Sequence, residues 1–527
     1  MPIKNIQLVV TPKQAAVDAE LRAEISKKIN VKVSAIDSYQ IIKKSTDARK
    51  RNEIKVNLTL NVYTNGTKPE PIEYPFHYQD VSNATPVLIV GAGPAGLFAA
   101  LRLIELGMKP IIIERGKKVE DRKKDIALLD RNQGLNVESN YCFGEGGAGT
   151  FSDGKLFSRS KKKGDYSKIL LRFHQHGAQD AILYEAHPHI GTDKLPSVIK
   201  NMRATIEQYG GEIHFETKLQ KLLIEDKQIK GLQTTDGQTF KADNIILATG
   251  HSARDVYQLL SDQGVALESK GFAMGVRVEH SQMLIDQIQY HSKEGRGDYL
   301  PSAAYNLVTQ VDGRGVYSFC MCPGGFIVPA STNAKECVVN GMSPSNRNSK
   351  FANSGIVVEI RPEDFTEGEL SQYKKYGVLA GLKFQEDYER LSYENGDGDK
   401  AIAPAQRLKD FVHNTMSEDL PKTSYFPGVK SSAIHEWMPP FICKRLQAGF
   451  KYFDTKMHGF LTNNAIIIGV ESRTSSPLRI PRDPETLEHI EIKGLYPCGE
   501  GAGYAGGITS SAVDGERCAE LIANKQH

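Results

Sequence analysis

The stretch VLIVGAGPAGLFAALRLIELGMKPIIIERG, residues 87–116, decides how this chain is read. Val87–Val90 is an unbroken apolar run, as in a parallel strand buried on both faces. Gly91, Gly93 and Gly96 then open a helix that Gly107 closes, and Ile111–Ile113 forms a second apolar strand ending at Glu114. Each glycine has its own task. Gly91 allows the tight turn, Gly93 lets the backbone approach a pyrophosphate, and Gly96 lets the helix pack closely on the strands. Pro94 and Ala95 begin the helix, whose free N–H groups and positive dipole end face the phosphates. The Glu114 carboxylate can accept both ribose hydroxyls of an adenosine and would repel a 2′-phosphate. Arg115 follows it at the mouth of the same site. A glycine triplet alone is a weak signal. Strand, helix, second strand and terminal acid in register make a dinucleotide site.

Two further apolar strands run into glycine-rich turns. IILATG ends at Ala248, Thr249 and Gly250, and YPCGEGAGYAGGITSSAVDGERCAELI spans residues 496–522. With a small module ahead of the first motif, these favour FAD over NAD. Here the sequence resembles the glutathione-reductase-like FAD superfamily, whose cofactor domain is assembled from separated stretches around an inserted second domain. The resemblance implies that Gly499-Glu500 stands where that superfamily carries Gly-Asp, with the acid on the ribityl-phosphate side; Glu500 adds a methylene. It also implies that Gly506, Gly507 and Ile508 pass along the isoalloxazine edge. The last helix then points its N-terminus at the pyrimidine carbonyl, where a reduced flavin accumulates negative charge.

Other segments are more distinctive: CFGEGGAGTFSDGKLFSR from Cys142, ATGHSARDVY from Ala248, FCMCPGG from Phe319, ESRTSSPLRIPRD from Glu471, and GEGAGYAGGI from Gly499. They resemble a family of largely uncharacterised bacterial FAD-dependent dehydrogenases, which implies FAD and redox chemistry without naming a substrate. In the first of them, successive backbone N–H groups between Gly144 and Gly154, Gly147 and Gly149 included, can form an anion nest. Thr150, Ser152 and Lys155 would add hydrogen bonds to phosphate or flavin. The plain alternative is a surface loop.

The expected fold class is α/β. A Rossmann-type FAD-binding domain of glutathione-reductase-like type covers residues 85–255 and 455–527, an inserted α+β substrate or cap domain covers 256–454, and a small βαββ (ferredoxin-like) module covers 1–80. In that module Thr11 caps a helix with Pro12 at its first position, expected to run to Ile29. Ile54, Val56, Leu58, Leu60 and Val62 alternate as in a half-buried strand. At 527 residues the chain exceeds one compact core.

Composition is that of an ordinary soluble chain, 40% hydrophobic and 24% charged, with a net charge of +3 that gives no argument for nucleic acid. The run Arg159, Lys161, Lys162, Lys163 reads as a solvated loop. No apolar stretch suits a membrane helix, and MPIKNIQLVV lacks a secretory pattern, so a cytoplasmic protein is expected. Seven cysteines make no disulfide scaffold. Cys320 and Cys322 form a CxC, too short for a redox CxxC, and no metal-ligand spacing follows.

Flavin performs hydride transfer itself, so candidates for catalysis are few. His251 and Arg254 follow the ATG strand, where ligands gather at carboxyl ends of parallel strands. Arg473 and Arg479 flank Thr474, Ser475 and Ser476 and could clamp an anion. Cys320 and Cys322 would serve only with a depressed pKa; buried structural cysteine is the plainer reading. No second complete GxGxxG βαβ unit is found, which leaves NAD(P)H as a transient donor against the flavin. The leading function is an FAD-dependent dehydrogenase or reductase moving hydride to or from a small molecule between the two large domains. A flavin monooxygenase shares these features. The alternative of another class is an FAD-bound binding protein whose N-terminal module recruits a partner such as RNA; residues 1–80 carry 13 Lys/Arg and 9 Asp/Glu, 13 − 9 = +4, which a solvated surface explains equally well. Nothing in the sequence sets an oligomeric state.

Overall fold

The computed structural model describes residues 4–50, 53–157, 164–398 and 400–525; the basic run 159–163 lies outside them. The opening motif supplies the centre of a five-stranded parallel sheet. Its order is Leu495–Pro497, Ile245–Leu247, Pro86–Val90, Lys109–Ile113, Glu212–His214. Leu88, Ile89, Ile112, Ile245 and Ile246 are fully buried, as strands covered on both faces must be. On one face lie the helices Pro94–Glu105, Leu195–Gln208 and Ile508–Asn524. The first and last meet so closely that a Cβ on Gly515 would stand 2.1 Å from the Ala95 carbonyl oxygen. On the other face lie a three-stranded meander, 219–241, with Gly237 at φ +86° in its Asp236-Gly237 turn, and the helix Arg254–Asp262.

The second large unit is a seven-stranded sheet ordered Val308–Val311, Arg314–Cys322, Phe351–Ile360, Phe272–Ser281, Ile466–Glu471, Ala403–Arg407, Val429–Ser431. The helix Pro440–Lys456 packs its Phe450 and Phe453 into that sheet's core. The expected boundary at 455 therefore moves. Residue 455 lies inside this helix, and Ile466–Glu471 pairs antiparallel with Phe272–Ser281, Ile467 opposite Val278. The cause is physical: AIIIGV, residues 465–470, is apolar throughout, and such a run reads alike in a parallel sheet and in the buried centre of an antiparallel one.

The N-terminal module has strands Lys4–Val10, Ile36–Asp47 and Lys55–Thr64, all antiparallel, with Lys55–Thr64 in the middle. Thr11 and Gln14 form a capping box over Pro12–Ala16. The expected single helix breaks at Val17, after which Asp18–Ile29 buries Leu21, Ile25 and Ile29. The ferredoxin-like comparison fails, because it requires a second helix and a fourth strand and residues 65–85 contain neither. Pro69, Pro71 and Pro75 explain this by removing donors and disfavouring helix at the residues before them. The connection is packed on the cofactor domain all the same: the Tyr78 hydroxyl donates to Gln175 at 3.0 Å, Val81 N–H to the Tyr209 carbonyl at 2.9 Å, and Arg172 lies 4.1 Å over the Phe76 ring. No described helix is long and apolar enough to cross a membrane.

Candidate cofactor and active site

A cleft opens where the carboxyl ends of the parallel strands meet the second sheet. Two kinds of glycine line or support it. Gly91, at φ +107°, would put a Cβ 2.5 Å from the Ala248 carbonyl oxygen, and Gly96 would put one 1.9 Å from that of Gly91. The fold itself requires these two. Gly93 differs. Its φ of −77° suits any residue, and the nearest atom to its missing Cβ is 3.8 Å away. Gly506 and Gly507 have nothing within 4 Å, and Gly507 is extended at φ 161°. Among the described residues no neighbour calls for glycine at these three places; all three face the open cleft.

Most of the expected residues come together around it. Gly91, Gly93, Pro94, Ala95, Glu114 and Arg115 line one end with Gly147, Gly149 and Ser152, while Ala248–His251, Gly499, Glu500 and Gly506–Ile508 line the rest. Several expected residues do not. Gly96 is enclosed in the helix, the Thr150 hydroxyl donates to the Glu145 carbonyl, and Arg254 turns to Glu389. Lys155 and Cys322 face an adjoining chamber. The sequence reading missed Phe143, Thr217, Leu219 and Asn340, which line the cleft from segments brought in by tertiary contact. Phe143 alone had a signal, since it belongs to the distinctive CFGEGG segment. Its ring carries the Arg115 guanidinium at 4.5 Å, and Asp255 holds that guanidinium at 2.9 Å.

Glu114 does more, and less, than expected. It is buried and accepts the N–H groups of Ala92 at 2.8 Å, Gly116 at 2.9 Å and Gly144 at 3.0 Å. A carboxylate offers about four acceptor positions, so one remains for a ribose and the two-hydroxyl grip is not available. The expected anion nest is also reduced. Gly144 N–H goes to Glu114, Gly146 N–H to the Ala92 carbonyl at 2.8 Å, and Gly147 N–H to that of Gly144 at 2.9 Å. The loop's glycines bind the loop to the turn.

The two expected arginines are neutralised. Arg473 sits 2.8 Å from Glu336 and 2.9 Å from Glu389, and Arg254 sits 2.5 Å from Glu389. Burial would raise the Glu389 carboxyl, yet Arg254 and Arg473 hold it down at about 2. Arg479 is elsewhere, with its guanidinium 5.6 Å over the Tyr504 ring and 3.8 Å from Glu268, so no Arg473–Arg479 clamp forms. His251 Nδ1 lies 3.4 Å from Glu500 Oε1, a carboxylate–imidazole couple on the cleft wall. Cys320 is held at φ +46° in a bulge and is exposed to the cleft and the adjoining chamber. Packing around it pushes its thiol up to about 11 in spite of Lys155 and Arg277 nearby. Cys322 is buried, 3.5 Å from the Arg277 guanidinium.

Comparison with known proteins agrees with this geometry. Residues 84–259 match a family described as FAD binding domain, 193–346 one described as FAD dependent oxidoreductase, and 271–474 one described as FAD-dependent protein, C-terminal domain-like. Residues 2–63 match a domain family of unknown function. An uncharacterized protein of Clostridium beijerinckii is 40% identical over 526 residues, covering 96% of both chains. Solved structures are far more distant. CtdE in complex with FAD is 11% identical over 84% of each chain with a TM-score of 0.33. L-proline dehydrogenase from P. horikoshii is 13% identical over 84% of this chain and 94% of its own, with a TM-score of 0.32. The open cradle at Gly93, the helix N-terminus beside it and the remaining Glu114 acceptor fit an adenine dinucleotide. The chain belongs to the family of the C. beijerinckii protein, and it is an enzyme, an FAD-dependent oxidoreductase.

Proposed function

We propose that the protein is a dehydrogenase or reductase of glutathione-reductase-like architecture that moves hydride to or from a small molecule, with NAD(P)H as a transient donor. The observation that carries this reading is the set Gly93, Gly506 and Gly507, side-chain-free where the protein itself makes no demand. Bound FAD supplies the hydride chemistry. The chain supplies position and charge. The helix Pro94–Glu105 offers its N-terminal N–H groups to the diphosphate, and the helix Ile508–Asn524, which has no side-chain cap, offers its own at the far end of the cleft. The Glu500 carboxylate lies beside the His251 imidazole and orients it on the cleft wall.

Gly93→Val tests the reading. The wild-type protein is expected to purify with flavin absorbance and to bleach and recover under anaerobic reduction and reoxidation. The variant should keep its far-ultraviolet circular dichroism and lose its colour, since the added methyls enter the cleft and no packed neighbour. Full FAD occupancy in the variant would falsify the placement of the cofactor.

A further inference from the structure

Beside the cleft lies a second chamber of about 590 Å3. Ser152, Cys320, Asn340, Gly506, Gly507 and Ile508 line both. Its described wall carries three charged residues, Asp153, Lys155 and Asp514. Both acids already have partners that stand outside the wall. Asp153 takes Arg347 on its two oxygens at 3.1 and 2.5 Å. Asp514 takes Arg482 at 3.0 and 2.6 Å and the Gly499 N–H at 2.8 Å. Lys155 forms no ion pair among the described residues; its ammonium donates to the Met321 carbonyl, between the two cysteines of the CxC. Burial would raise the Asp153 carboxyl, but Lys155 and Arg347 keep it below its ordinary value. Arg347 and Arg482 thus neutralise the two acids, which leaves the Lys155 ammonium as the uncompensated charge among the described residues.

We propose that this chamber binds a small monocarboxylate with an apolar body, its carboxylate on Lys155. A neutral ligand would leave the ammonium unpaired in a partly desolvated space. A dianion would bring one charge more than the described residues of the wall can match. The uncapped start of the helix Ile508–Asn524 lies on the same wall and adds a field of the same sign. Phe157, Tyr166, Tyr504 and Val513 supply the apolar side for the rest of the molecule. The inference rests on the FAD reading, because the chamber reaches the cofactor cleft across Gly506 and Gly507. It names the substrate class that reading leaves open.

The test uses FAD-loaded protein and a series of monocarboxylates from propionate to cinnamate, each beside its uncharged amide. Binding is read from perturbation of the flavin absorbance. A second reading is protection of Cys320 from alkylation by N-ethylmaleimide, mapped by peptide mass. At least one acid is expected to slow alkylation at Cys320 and to bind roughly ten- to hundredfold more tightly than its amide, the range for a hydrogen bond to a charged group. Lys155→Met should erase that preference, and Lys155→Arg should keep it. Equal binding of every acid and amide, or a preference that survives Lys155→Met, overturns the proposal. A preparation that carries no flavin fails the cofactor reading instead; flavin-loaded protein indifferent to ligand charge fails this inference alone.

Discussion

His280 shows how a single buried residue governs the response to acid. Its Nε2–H donates to the Phe460 carbonyl at 2.8 Å, its ring lies 4.4 Å from that of Phe460, and its Nδ1 has no partner among the described residues. Burial lowers its pKa from 6.5 to about 4. Below 6.5 the unfolded chain therefore takes a proton that the folded chain refuses until about 4. Stability from this residue is complete above 6.5 and declines as pH falls through that window, by about 1.4 kcal/mol per pH unit. Urea midpoints measured across it should fall less steeply for His280→Gln than for the wild type, by the equivalent of one proton. Equal slopes would mean that His280 is already charged in the folded protein. Other buried titrating groups, such as His176 and Glu145, are common to both proteins and cancel. At this scale the sequence told only part of the story. Gly91 and Gly93 were legible because a motif ties their chemistry to a spacing. The three N–H partners of Glu114 and the acids facing Arg254 and Arg473 were not, because residues distant in sequence supply them.

Between elements, the decisive contact is the crossing of the helices Pro94–Glu105 and Ile508–Asn524. Gly515 is buried there, and an added Cβ would meet Ala95 O at 2.1 Å and Ala95 C at 2.9 Å. Both atoms are backbone, so the helices must move apart. That motion shifts Gly506–Ile508 against Gly93–Ala95, both of which line the cofactor cleft. Gly515→Val should thus weaken FAD binding by roughly ten- to a hundredfold, in keeping with about 1–3 kcal/mol for overpacking, although residue 515 lies outside the cleft. Equilibrium dialysis of FAD against the apo variant measures it, and an unchanged affinity would show that the helix pair absorbs the insertion without moving the cleft. Elements with periodic or capped signals were readable in advance. The strand Lys55–Thr64 alternates, Thr11 and Pro12 mark a helix start, and the last helix follows a glycine pair. The break at Val17 was not readable, since it depends on how Asp18–Ile29 packs against its own sheet.

The whole molecule is held together by charge as well as by apolar cores. The order of units was visible from the motif outward, but the end of the inserted unit was misplaced, because the apolar strand Ile466–Glu471 carries no sign of which sheet it joins. Where the two large units meet, Glu389 on the helix Ala380–Asn395 bridges Arg254, at the start of the helix Arg254–Asp262 in the cofactor domain, and Arg473. It is fully buried and also accepts the Ser472 hydroxyl. Replacing one member of such a network leaves buried charge without its partner, at about 3–5 kcal/mol. In Glu389→Gln, Glu336 alone would face both arginines, at 3.8 Å from Arg254 and 2.8 Å from Arg473. The two units carry separate reporters. Trp437, the single tryptophan, belongs to the second unit, and bound flavin reports on the first. In the wild type, the urea transitions followed by tryptophan fluorescence and by flavin release should coincide, because the bridge couples the units. In Glu389→Gln flavin release should come at lower urea than the tryptophan transition, since the cofactor domain loses its charged tie while the core around Pro440–Lys456 stays intact. If both transitions shift together instead, the apolar contacts couple the units and the buried charges serve only the local fold.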